Sequence, residues 1–190
     1  MFKYLVNSVF LCFFLQANAT ILDAKKQDEG VANNLDEVLS SQLFLTTGES
    51  TFSLLFWDLY RGKLQTTSGR YPIAIDKDEL IFNIHYFTAI SSKELIKRTI
   101  EQWQHLSISP KKYLPFIKAL QSIWPNIDKG DNLSMLMQKN KSVFYFNKHY
   151  IGTIDNAYFG QLFIDIWLSK KTSQPSFRAE LLGESVNDIP

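Results

Sequence analysis

FSLLFWDLYRGKLQT, Phe52–Thr66, is the stretch on which the rest of the chain turns. Its even positions are Phe52, Leu54, Phe56, Asp58 and Tyr60; its odd positions are Ser53, Leu55, Trp57, Leu59 and Arg61. A strand with one wet face alternates apolar and polar residues, because successive side chains point to opposite faces. Here the middle is apolar on both. The pattern predicts two strand segments that meet near Gly62 and are covered from both sides, with Asp58, Tyr60 and Arg61 where the stretch emerges.

Outward from there, Tyr71–Asp76 reads as a short extended piece, Asp76–Glu79 (DKDE) as a turn, and Leu80–Phe87 as a strand. That strand is apolar on both faces apart from Asn83 and His85. Ser91 and Glu94 form an S-x-x-E capping box, which satisfies orphan backbone donors at a helix start. Leu95, Ile96, Thr99, Ile100, Trp103 and Leu106 then lie on one helical face. A second helix spans Lys111–Trp124 before Pro125, with Pro115 either splitting it or marking its first turn.

Asn132–Gln138, Ser142–Phe146 and Tyr150–Ile154 read as short strands, with turns at Asn140-Lys141 and Asn147-Lys148. A third helix covers Asp155–Leu168, with Phe159, Leu162, Phe163, Ile166 and Trp167 inward. A last one covers Ser176–Leu182 and stops at Gly183. This order predicts an α+β domain with a largely antiparallel sheet. Helices cover one face of the long strands, and the late hairpins are expected to supply a smaller layer on the other. Trp57, Trp103, Trp124 and Trp167 all fall at core periodicity.

The first residues read as a secretory signal peptide. Lys3 supplies the positive start, Tyr4–Leu15 the apolar run and Ala17-Asn18-Ala19 the cleavage site. The apolar run is short for a membrane span. The expected organisation is a signal peptide at 1–19, a polar leader at 20–41, one domain at 42–183 and a tail at 184–190. Removing residues 1–19 leaves 171 of the 190 residues, enough for a single core. Cys12, the one cysteine, leaves with them, so the mature chain is expected to hold no disulfide and no thiolate metal site. Lys3 leaves too, so 20 Lys+Arg become 19 against 19 Asp+Glu, a net charge of zero. That balance offers no basic field to nucleic acid or anionic lipid. No second apolar run is long enough to cross a membrane.

Familiar catalytic signatures are missing: no G-x-S-x-G, H-E-x-x-H, G-x-G-x-x-G or G-K-[ST] occurs. His85, His105 and His149 are scattered, and Asp128 and Asp131 fit turn geometry near KGD. No metal and no cofactor are expected.

Longer pieces carry more information. GESTFSLLFWDLYRGKLQT, SSKELIKRTIEQW, KGDNLSMLM, FYFNKHYIGTIDNAYFGQLFIDIWLS and SQPSFRAELLG, in that order over residues 42–183, resemble the bacterial chalcone-isomerase-like family, specifically its exported members. The resemblance implies an open-faced β-sandwich: a large antiparallel sheet, helices on one face and a short second sheet on the other side. Plant enzymes of this fold cyclise chalcones to flavanones. They use an arginine near the first long strand, a threonine on it and a Tyr-x-x-Lys-x-x-x-Asn set on the following helix. Laid onto this chain, the helix set falls on Leu95, Arg98 and Gln102, and the strand threonine near Tyr60. The arginine region reads GESTF, without a basic residue, and Leu95 stands where the tyrosine would be. The catalytic set is therefore incomplete, and no catalytic residue is assigned.

Leu95, Arg98 and Gln102 nonetheless form one stripe on the flank of an apolar helix face. Such a flank lines a cleft between helix and sheet, where ligands are held, or is the solvated edge of an amphipathic helix. Tyr60 and Tyr86 are likewise either core phenols or ligand contacts. Three functions remain open. The first is a periplasmic, non-catalytic binder of a small amphipathic molecule, with an acidic head near Arg98, as in fatty-acid-binding relatives of the fold. The second is an intramolecular lyase acting on a flavonoid-like phenol. The third is a scaffold for another envelope protein.

Cleavage after Ala19 makes Thr20 the first residue of the mature chain. Intact mass of the protein from an envelope fraction should show that terminus; retention of residues 1–19 would refute export through a cleaved signal.

Overall fold

A computed structural model describes residues 30–184. Residues 1–19, the first ten residues of the expected leader and all but Glu184 of the tail lie outside that span. The strands β1 (Leu45–Leu54), β2 (Trp57–Thr66), β3 (Leu80–Tyr86), β4 (Asn132–Met137), β5 (Ser142–Phe146) and β6 (His149–Ile154) form one sheet. Each pairs antiparallel with the next, in the order β1-β2-β3-β4-β5-β6. The helices are α1 (Leu35–Ser41), α2 (Ser92–His105), α3 (Pro110–Ile123), α4 (Phe159–Leu168) and α5 (Pro175–Leu181).

The opening stretch is resolved by a turn rather than by a double cover. Leu54 pairs with Trp57, so Leu55 and Phe56 are the turn of the β1–β2 hairpin. The apolar residues at the centre of the stretch stand in solvent at its tip. Gly62 is not the meeting point but sits mid-β2, where a Cβ would lie 2.8 Å from the Phe177 ring and 3.1 Å from the Phe82 ring. Trp57 departs from core periodicity for the same reason, while Trp103, Trp124 and Trp167 are buried.

Beyond Gly62 the strands face two different layers. Leu64, Leu80, Phe82, Ile84, Tyr86, Leu133, Met135 and Phe144 join the main core with α2, α3, α4 and α5. On the opposite face, Ile81, Leu136, Val143 and Tyr145 pack with Leu35 and Val38 of α1 and with Phe44. This second cover corrects two expectations. The late hairpins extend the main sheet instead of forming a separate layer, and among the described residues the far face carries α1 in place of a short second sheet. α1 lies within the expected leader; Asn34 caps it by accepting from the Asp36 N–H at 2.8 Å. α1 covers only part of that face. On its open part Asn83 donates to Ser134 at 2.7 Å, and His85 Nδ1 lies 3.2 Å from Asn132 Oδ1. The polar positions of β3 are thus where α1 does not reach.

Ser91 caps α2, accepting from the Glu94 N–H at 3.2 Å. Pro110 sets the first turn of α3, and Pro115 lies inside that continuous helix. α4 begins later than Asp155, because the Asn156 side chain accepts from the N–H groups of Tyr158 and Phe159 and holds the chain in a turn. Tyr71–Asp76 is loop rather than strand. Tyr71, Ile73 and Ile75 pack from it onto the core, and the Tyr71-Pro72 bond is cis.

α5 lies directly against β1. A Cβ on Gly48 would come 2.1 Å from the Glu180 carbonyl oxygen and 2.5 Å from that of Leu181, backbone atoms that cannot swing away. Gly48→Ala should therefore lower unfolding free energy by roughly 1–3 kcal/mol. Chemical denaturation checks this; an unchanged midpoint would mean that α5 is not seated on β1.

Candidate functional site: a cavity between sheet and helices

The main core is not filled everywhere. A cavity of about 380 Å³ lies between the inner face of the sheet and the helices. Phe52, Tyr60, Ile84, Tyr86 and Leu133 supply its sheet wall, Leu95, Arg98, Thr99 and Gln102 come from α2, and Phe163, Ile166 and Trp167 from α4. Its size falls within the ordinary range for small-molecule sites, roughly 300–1,000 Å³.

All four residues singled out in the sequence, Tyr60, Leu95, Arg98 and Gln102, line this one cavity. The α2 stripe is therefore both things at once: Leu95 and Gln102 are half-buried in the wall, while the Arg98 side chain is 62 % exposed at the rim. Arg98 donates through Nε to Glu94 at 2.8 Å and through an Nη to Glu101 at 3.1 Å. Those carboxylates position the guanidinium. The Gln102 side-chain oxygen accepts from the Ser173 hydroxyl at 2.7 Å, tying α2 to the segment before α5.

The inner wall carries polar groups of a different kind. The Tyr60 hydroxyl accepts from the Trp167 indole N–H at 3.0 Å. Burial pushes the Tyr60 phenol up to about 12, with the Trp167 hydrogen bond offsetting part of that rise. Burial likewise raises Tyr86, and the neighbouring Tyr60, at 6.1 Å between ring centroids, adds to it. Both phenols are neutral donors at any physiological pH. The buried indole N–H of Trp124, another lining residue, has no hydrogen-bond partner among the described residues. An apolar chamber with unspent donors can take an oxygen-bearing ligand.

Among the described residues Arg98 is the one cation on the lining, and Glu94 the one carboxylate. No group of three or more His, Cys, Asp or Glu able to hold a metal occurs among the described residues. Sequence reasoning missed Trp124, Trp167 and Ser173 as wall residues. Trp167 follows from the helical period of LFIDIWL, but its hydrogen bond to Tyr60, 107 positions away, has no local signal.

This architecture, an open antiparallel sheet with helices over a ligand-sized cavity, defines an α+β domain of known type. The chain belongs to the chalcone isomerase-like family, whose model matches residues 38–183. Among solved structures it is similar to a fatty-acid binding protein of Arabidopsis thaliana, with a TM-score of 0.57 at 8% identity, covering 73% of this chain and 86% of that one. At that identity the likeness speaks for the fold. No curated protein matches the sequence significantly.

The raised phenols make stability fall in alkali. Below pH 10 both states keep the Tyr60 proton. Between about pH 10 and pH 12 the unfolded chain loses it and the folded chain does not, so stability drops across that window. Tyr60→Phe should flatten the drop by on the order of 2 kcal/mol, measured by denaturation at pH 9 and pH 11.5. Tyr145, also raised to about 12, keeps a residual slope in the variant. Identical slopes in the two proteins would show that Tyr60 is not buried.

Proposed function

We propose that this protein is a non-catalytic binder of a small amphipathic, fatty-acid-like ligand, held with its apolar body in the cavity and its acidic head at Arg98. The observation that carries this is the cavity's polarity gradient: Phe52, Ile84, Leu133, Phe163, Ile166 and Trp167 inside, and one oriented guanidinium at the rim. A carboxylate left at the rim stays partly solvated, so the ligand avoids the large desolvation cost of carrying a charge inward. An arginine there holds a carboxylate by directed hydrogen bonds that a lysine cannot reproduce. The solved structure with the similar fold is described as a fatty-acid binding protein, which supports the ligand class by analogy. We also propose export to the periplasm, supported by the pattern of residues 1–19.

The same geometry disfavours the lyase. Ring closure needs stabilisation of a developing oxyanion, to which one donor contributes roughly 3–4 kcal/mol when preorganised and shielded from water. Here the guanidinium is exposed to water, and among the described residues no other cation lines the cavity.

Titration with a fluorescent fatty acid tests the proposal. Arg98→Ala should weaken binding about three- to tenfold, on the order of 1 kcal/mol for so exposed a charge, and Arg98→Lys by less. Ile166→Trp, which narrows the chamber, should weaken binding further while the protein stays folded by circular dichroism. Chalcone should cyclise no faster than its spontaneous rate. Equal affinity in all variants, or turnover that Arg98→Ala removes, would overturn the proposal.

A further inference from the structure

The hairpin tip is the most unusual surface of the molecule. Leu54, Leu55, Phe56 and Trp57 are 60 %, 85 %, 97 % and 72 % exposed, four consecutive large apolar side chains in water. Scattered exposed apolar residues are ordinary; a contiguous cluster marks a surface that meets something. The turn is also built against its backbone preference. Leu55 has φ +57°, the left-handed region where a tight hairpin turn ordinarily carries glycine or asparagine. A leucine held there keeps an apolar side chain at the apex in spite of local strain.

We propose that this tip inserts into the surface of a neutral, zwitterionic lipid bilayer. Three observations select lipid over a protein partner. The apolar residues form a convex apex rather than a groove or flat face, a shape around which a fluid acyl region closes without a complementary surface. Directly behind the apex lies a polar collar. Ser53 donates to Asp58 at 2.6 Å, and Arg61 pairs with Glu49 at 3.3 Å while lying 5.5 Å from the centre of the Phe87 ring. Arg61 and Glu49 neutralise each other and Asp58 remains, so the collar suits the headgroup region and presents no positive charge for an anionic surface. Trp57 stands at the boundary between apex and collar, the position an amphipathic indole favours at a membrane interface.

The tip is also continuous with the cavity. Phe52 on β1 and Leu59 on β2, each two residues from the apex cluster, belong to the cavity lining. A bilayer contact at the tip therefore brings the cavity to the membrane surface, where amphipathic ligands partition. What the contact delivers rests on the ligand-binding reading; that the tip touches lipid does not.

Flotation with phosphatidylcholine vesicles tests it on the chain from Thr20 onward, compared with a Leu55→Ser, Phe56→Ser double variant. Neither residue lines the cavity, so the variant should bind a soluble fluorescent fatty acid as the parent does. The parent should float, the variant should lose about tenfold or more of its vesicle binding, and added salt should change neither. A parent that floats but binds no fatty acid leaves the membrane contact standing and removes the ligand reading. A parent that stays in the bottom fraction, or a variant that floats equally, overturns the contact. A dimer that the same substitutions make monomeric, without flotation, overturns it in favour of self-association.

Discussion

α4 is buried on nearly every side, and the rest of the structure is arranged around that constraint. Of its ten residues, Phe159, Gly160, Leu162, Phe163, Ile164, Ile166, Trp167 and Leu168 are all buried. Apart from the half-buried stripe of Gln161 and Asp165, such a helix has no face to give to water, so it must lie between other elements. The sheet takes one side, where Trp167 packs on Phe82 at 4.6 Å between ring centroids and Gly160 admits the Met137 side chain. α2 takes another, through the Trp103 indole N–H donating to the Leu162 carbonyl at 2.9 Å. The cavity is what remains where α2 and α4 do not close on the sheet. Its shape is thus fixed by elements that cannot move without exposing α4.

That dependence separates the two kinds of polar group in the site. Donors on the sheet, the phenols of Tyr60 and Tyr86, are held by the core and stay neutral because burial raises them. The charged groups, Arg98 with Glu94 and Glu101, sit on the outer flank of α2, where water screens them and i,i+3 and i,i+4 spacing brings them together. The inside can orient a ligand but cannot ionise it. The rim can hold a charge but cannot isolate it from solvent. Binding needs only these two properties.

Much of this was legible from local pattern, and the reasons for the exceptions are physical. α2 declared itself through Ser91 and its apolar stripe, and the same stripe put Leu95, Arg98 and Gln102 on one wall. Tyr60 joined them through the family resemblance alone. β3 to β6 followed from apolar runs bounded by turn residues; Asn147 and Lys148, both at positive φ, sit where a turn was expected. The β1–β2 hairpin did not follow, because its turn lacks glycine, asparagine and proline. Leu55-Phe56 reads as strand interior under any periodicity rule, and the nearby Gly62 drew the expected turn to itself. That glycine answers instead to Phe177, a ring 115 positions later, and no local rule carries such a requirement. α1 was hidden differently: seven residues with two buried side chains make too weak a period to stand out from a polar leader.

The misread hairpin has its own logic. A strand pair that ended in a polar turn would have satisfied both its backbone and the surrounding water. Instead the apolar run continues through the turn, so that the residues farthest from the core are as apolar as those within it. Nothing in the packing of the domain needs them. Leu64 and Gly62 already seat β2 on the helical layer, and Phe52 and Tyr60, 5.2 Å apart, close the cavity wall before the tip is reached. Folding alone would favour polar side chains at Leu55 and Phe56, where exposure costs solubility and a left-handed leucine costs about 1–2 kcal/mol. Side chains that folding disfavours and packing does not use are accounted for by what the protein meets, and the apex lies at the end of the molecule where the cavity wall begins.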